Sequence, residues 1–216
     1  MIRMVLSSFY NTLINEDESI NQTTMVEIDC LRNNHILFGI ITNRGIEDIL
    51  YYNHDFPFID YIIALNGSII YDVGNNKILQ EKAIDKNLIK EINNLYKNNK
   101  IIYYTKEKEY SYTPKEDVYK IEIEVKNKKE NAVLKKFPIK TSFFEWNKKL
   151  FLEITKEDIN NSLKNFMNQI NIKEEEIISI IGNESEKEIK KIINNTYELS
   201  NKKEKIEDVL RKMNET

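Results

Sequence analysis

Cysteine, histidine, glycine and proline are all scarce in this chain of 216 residues, which holds one Cys, two His, five Gly and three Pro. A single cysteine, Cys30, excludes an intramolecular disulfide and fits a reducing compartment, and its expected place is a small buried apolar position. The two scattered histidines, His35 and His54, make no His/Cys cluster of the kind that holds zinc, and both are expected on loops or the surface. Neither sign of charge dominates: 32 Lys and Arg are interleaved with 35 Asp and Glu for a net charge of -3, which gives no basic face for nucleic acid. Long apolar runs are missing too. The first run, "IRMVL", stops at Ser7 and Ser8, too short for a signal-peptide core, and no stretch approaches the roughly 18 apolar residues of a membrane span. These absences lead to the expectation of a soluble, cytoplasmic protein with neither a membrane nor a nucleic acid as partner.

Present instead is a 41% hydrophobic content, enough to bury a core in one domain with an insertion or in two small domains. Short runs rich in β-branched residues, "IRMVL", "ILFGIIT", "YIIAL", "LFLEI" and "IISII", alternate with stretches of helical spacing, the pattern of βα units around a parallel sheet. The helical stretches are "TTMVEIDCLRNN", "GIEDILYYN", "INNSLKNFMNQI" and "EKEIKKIINN". Residues 78–148 follow another rule: a helix at "NLIKEINNLYKNN", alternating segments at "KIIYYTKEKEYSYT" and "DVYKIEIEV", a short helix at "NKKENAVLKKF" and a strand near "IKTSFFEW". Period-two alternation as in "YKIEIEV" predicts an antiparallel sheet with one wet face. The expected organisation is therefore a parallel-sheet core from residues 1–77 and 149–216, resuming at "LFLEI", with an α+β insert over 78–148.

In order and spacing, "VLSSFYNTLI", "GIITNRGIEDIL", "YIIALNGSIIYD", "LFLEIT", "IISIIGNESEKEI" and the tail "YELSNKKEKIEDVLRKM" resemble the haloacid dehalogenase-like (HAD) superfamily, specifically its Cof-type sugar-phosphate phosphatases. The resemblance implies a Rossmann-like α/β core carrying an inserted α+β cap. It also implies a reaction: the first strand of that family ends in Asp-x-Asp-Gly-Thr, whose first Asp attacks phosphorus and whose second is the general acid and base, while Mg²⁺ bridges nucleophile and phosphate.

Matched residue by residue, the chemistry is missing. Ser8, Phe9, Tyr10, Asn11 and Thr12 stand where that motif would be, so Ser8 replaces the nucleophile and Tyr10 the acid. A carboxylate attacks without a base, whereas a serine hydroxyl needs one, and a phenol with a pKa near 10 is a poor acid for the leaving group. The second motif, Thr-Gly-Arg, survives best as Thr42, Asn43 and Arg44, where the Thr hydroxyl and the next amide would hold a phosphate ahead of a helix N-terminus. The family's third-motif lysine has one nearby candidate, Lys156. In the fourth, Asn183 and Lys187 replace two aspartates of the Mg²⁺ site, leaving a hard cation short of carboxylates, with Glu184 and Glu186 as the acids nearby. The Lys187 ammonium is positioned by this match to fill part of the space of the cation.

The expectation is a HAD-like hydrolase homologue that has lost Mg²⁺-dependent phosphatase activity and acts as a binding or regulatory module. Thr12, Thr42, Asn43 and Arg44 are its ligand-binding candidates, Ser8, Tyr10, Asn183 and Lys187 its degenerate catalytic positions, and no metal is expected. The expected ligand is a small phosphorylated metabolite or an anion. A divergent phosphatase and a structural or protein-interaction role are the alternatives.

Overall fold

The computed structural model describes residues 1–10, 12–14, 19–55, 57–182, 189–199 and 205–215, without the side chains of Asn53 and Asp55. In chain order the core opens with β1 (Met4–Ser8), α1 (Gln22–Asn33), β2 (Leu37–Ile41), α2 (Ile46–Asp55), β3 (Tyr61–Ala64), β4 (Ile69–Asp72) and β5 (Lys77–Glu81). Next come α3 (Lys86–Leu95), β6 (Ile101–Tyr104), β7 (Glu109–Tyr110), β8 (Lys120–Val125), β9 (Lys140–Trp146) and β10 (Lys149–Thr155). The chain closes with α4 (Ile159–Ile170), β11 (Ile177–Ile181), β12 (Thr196–Glu198) and α5 (Ile206–Asn214).

Two sheets result. The first has the order β12-β11-β1-β2-β3-β4-β5, parallel from β12 to β3 and ending in an antiparallel hairpin. Every residue of β1 and of β11 is buried, as expected of strands covered on both faces. Their side chains alternate between two apolar layers: Val5 joins Ile28, Leu31, Ile49, Val209 and Leu210, while Met4 and Leu6 join Leu163, Phe166 and Met167 of α4. The apolar spacing of α4 is fixed between an Asp158 side chain that accepts the Asn161 N–H at 2.9 Å and a left-handed Asn171 at its end.

The second sheet, β7-β6-β8-β10-β9, is antiparallel and packs one face on α3 and on the 3-10 segment Lys128–Lys136 through Leu88, Ile92, Ile121, Ile123, Leu134, Leu152 and Ile154. This is the α+β cap on a parallel-sheet core.

Five expectations need correction. "LFLEI" is not a core strand, because residues 149–155 pair antiparallel with β8 and β9. Leu152 and Ile154 face the cap interior while Phe151, Glu153 and Thr155 are buried on the other side, so β10 is covered twice and reads like a parallel-core strand. Residues 78–81, expected in the insert, complete β5 of the first sheet. The polar face of β8 is not wet: Lys120 is 1% exposed and Glu122 7%. Cys30 is exposed, because α1 buries Thr24, Ile28 and Leu31 and position 30 is off that stripe. Of the helix expected at "EKEIKKIINN", residues 189–191 form a 3-10 turn and 186–188 lie outside the described residues.

Phe166 is fully buried and meets Tyr61 edge-on at 5.1 Å. Phe166→Ala is expected to lower unfolding free energy by about 3–5 kcal/mol, read as a shifted urea midpoint with an unchanged slope.

Candidate functional site

The parallel strands end together, and open α/β sheets offer ligand sites beyond such carboxyl ends. β1 ends at Ser8, β2 leads to Thr42 and β11 to Gly182. The Ser8 Oγ accepts the Gly182 N–H at 3.1 Å and lies 2.6 Å from Thr12 Oγ1. Ser8 is 1% exposed, so its hydroxyl is spent on an amide and on a second hydroxyl, neither of which is a base.

Thr42 is also buried. Its N–H donates to Ile63 O at 2.9 Å, its carbonyl accepts the Asn66 N–H at 3.3 Å, and its Oγ1 accepts the Arg44 N–H at 3.1 Å. With the Leu65 N–H on Arg44 O at 3.1 Å, the loops after β2 and β3 are cross-linked. The Arg44 guanidinium lies 4.9 Å from the centroid of the Tyr10 ring and 4.0 Å from Asp48, which joins the first loop to the second.

Above these loops sits the polar face of the cap sheet. Glu122 and Glu153 are direct cross-strand partners in β8 and β10, an unfavourable pairing of like charges. Lys120 Nζ compensates it, donating to Glu122 Oε1 at 2.8 Å and approaching Glu153 Oε2 at 3.8 Å. The ammonium also lies 3.9 Å from the Tyr104 ring centroid and donates to the Asn43 carbonyl of the core at 2.7 Å. Glu153 Oε1 accepts from Ser142 Oγ at 2.9 Å and from Asn66 Nδ2, another core group, at 2.5 Å. Tyr104 donates its hydroxyl to Glu122 Oε2 at 2.8 Å, and burial, with Glu122 beside it, raises the phenol far above its ordinary pKa. Close approach is permitted by Gly45, where a Cβ would come within 3.1 Å of Lys106 O in the cap. At the linker, Glu81 accepts the Tyr119 hydroxyl and pairs with Lys106 at 3.0 Å, and these bonds hold its carboxyl below the ordinary value.

Of the residues singled out in the sequence, Ser8 and Thr12 come together with Gly182, and Thr42, Arg44 and Tyr10 form the adjoining wall. Asn43 contributes its carbonyl to Lys120 while its side chain is exposed, so it meets the cap where a ligand role was expected. Lys156 is half-buried in the loop after β10. Asn11, Asn183, Glu184, Glu186 and Lys187 lie outside the described residues. Lys120, Glu122, Glu153 and Asn66 were not singled out for the site. Their signal was the lone acid in "LFLEIT" and the Lys-x-Glu in "YKIEIEV".

This architecture is a Rossmann-like α/β core carrying an inserted α+β cap. A family model for haloacid dehalogenase-like hydrolases matches residues 10–215, and the chain belongs to that family. Solved structures agree in fold. SMU.1108c from Streptococcus mutans UA159 superposes with a TM-score of 0.78 at 14% identity, covering 100% of both chains. BT1666 from Bacteroides thetaiotaomicron, a phosphatase of the HAD superfamily, gives 0.78 at 14% identity over 98% of this chain and 95% of its own. A haloacid dehalogenase-like hydrolase from B. subtilis gives 0.73 at 13% identity over 91% and 89%. A comparison with curated protein sequences gives no match.

The metal that the resemblance implies is Mg²⁺, and the positions matched to its fourth-motif ligands lie outside the described residues. Ser8, Thr12 and Thr42 supply hydroxyls, and among the described residues no group of three or more His, Cys, Asp and Glu is placed to hold a metal ion. Among them, too, no helix is long and apolar enough to cross a membrane.

Two measurements follow from this geometry. Ser8→Ala strands the Gly182 amide and is expected to lower stability by about 1–3 kcal/mol in urea unfolding. Because the folded-state pKa of Glu81 is depressed, its stabilising effect is present at neutral pH and is lost as pH falls through that folded value, since the unfolded carboxylate protonates first. Glu81→Gln is therefore expected to narrow the difference between urea midpoints at neutral pH and below the ordinary carboxylate range.

Proposed function

We propose that this protein is a HAD-like hydrolase homologue that does not run the Mg²⁺-dependent aspartyl-phosphate reaction and instead serves as a binding or regulatory module for a small phosphorylated metabolite or anion. The reading rests on one observation: the nucleophile's position holds a buried serine hydroxyl already committed to Thr12 and to the Gly182 amide. Such a group lacks the charge to attack phosphorus unaided, and its hydrogen-bond partners among the described residues include no base to activate it. Replacing it with a different nucleophile would still leave acid catalysis to Tyr10, whose ring instead faces the Arg44 guanidinium.

Anion binding draws on what is retained. Thr42 keeps its hydroxyl at the end of β2 ahead of α2, and Arg44 supplies a positive charge beside it. With Ser8 in place of an acid, an anion at the strand ends meets less repulsion and has less need of a bridging cation.

Calorimetry with inorganic phosphate and a set of sugar phosphates, with and without Mg²⁺, tests the proposal. Binding that is independent of Mg²⁺ and weakened roughly ten- to a hundredfold by Thr42→Val supports it, the effect of losing one hydrogen bond to a charged group. Binding that requires Mg²⁺, or hydrolysis of the same esters that disappears in Ser8→Ala, favours the divergent phosphatase instead.

A further inference from the structure

The cap meets the core in two chemically different ways. Next to the linker the Tyr119 side chain joins the core's own apolar layer and Ser68 Oγ donates to Tyr119 O at 3.1 Å, while the one ion pair there, Lys106 with Glu81 at 3.0 Å, is part-exposed to water. Over the loops after β2 and β3 the cap reaches down with charges, Lys120 to Asn43 O and Glu153 to Asn66 Nδ2. Both charged groups are buried, Lys120 at 1% and Glu153 at 7% exposure.

A permanent seam would not need this chemistry. Burying an ion pair forfeits hydration that its mutual attraction only partly returns, and well-packed apolar side chains of similar size often hold as well or better. Apolar surfaces, once joined, resist parting in water. Charged groups lose little on parting, because water replaces the protein partner. The cluster is also built to survive that exchange. Its internal bonds, Lys120 to Glu122, Tyr104 to Glu122 and Ser142 to Glu153, all lie within the cap, and one bond from each of Lys120 and Glu153 crosses to the core.

We propose that Lys120 and Glu153 form a two-point latch that holds the cap shut over the loops after β2 and β3, so that a ligand enters when their bonds to Asn43 and Asn66 are exchanged for water. That a ligand enters there rests on the binding role proposed above, whereas the latch itself is read without a ligand.

Amide hydrogen exchange on the full chain tests it with two variants. Lys120→Met keeps the apolar stem of the side chain and removes the ammonium. Asn66→Gly removes the core-side donor to Glu153 and leaves the Lys120 cluster whole, and glycine accepts the left-handed backbone at this position, φ 54. The expected result for Asn66→Gly is exchange roughly ten- to a hundredfold faster in residues 43–45, 65–67 and 104–106, with β1, β2 and β10 as protected as in the parent. Lys120→Met, which also leaves Glu122 and Glu153 without their cation, is expected to accelerate the same segments at least as much. Unchanged exchange in those segments for Asn66→Gly overturns the latch. Acceleration spread evenly through β8 and β10 in both variants overturns it as well, since the cluster would then be holding the cap sheet together.

Discussion

The buried pairing of Glu122 with Glu153 across β8 and β10 sets the constraint around which cap and core are arranged. Two carboxylates face each other with little access to water, a combination that raises the energy of both unless cations and donors are close. Lys120, Tyr104, Ser142 and Asn66 answer that demand, and in doing so they bring the cap sheet down on the loops that follow β2 and β3. Gly45 and the left-handed Asn66 give those loops the shape to be met.

Below the seam the parallel strands deliver Ser8, Thr42 and Gly182 to one end of the sheet, as the family's fold requires. The described residues there differ from those of the family's first motif. A carboxylate at position 8 would be charged, would attract a cation and would repel its neighbours. A hydroxyl there is neutral and is absorbed into the local hydrogen bonding of Thr12 and Gly182.

Much of this was legible in the sequence, and the gaps have physical causes. The parallel core showed through continuous apolar runs such as "IISII", and α4 through the spacing of Leu163, Phe166 and Met167 with Asp158 ahead of them. The loop carrying Ser8 and Thr12 and the strand end carrying Thr42 were found by the order of the motifs. The cap boundary was misplaced because β10, buried on both faces, has the composition of a core strand. The seam was missed for a related reason. Alternation in "YKIEIEV" tells which residues share a face, but not whether water or another domain covers it. Cys30 was misassigned by residue type alone, although its position off the Ile28 and Leu31 stripe was already in the spacing.

Intact-mass spectrometry after incubation with acetyl phosphate and Mg²⁺ tests the central claim most directly, because a phosphoryl-enzyme is the intermediate that the aspartyl-phosphate family cannot do without. The account predicts an unmodified mass, since the Ser8 hydroxyl is uncharged and its hydrogen-bond partners among the described residues are not bases. A phosphorylated species that appears with Mg²⁺, maps to the loop after β1 and vanishes in Ser8→Ala would contradict it.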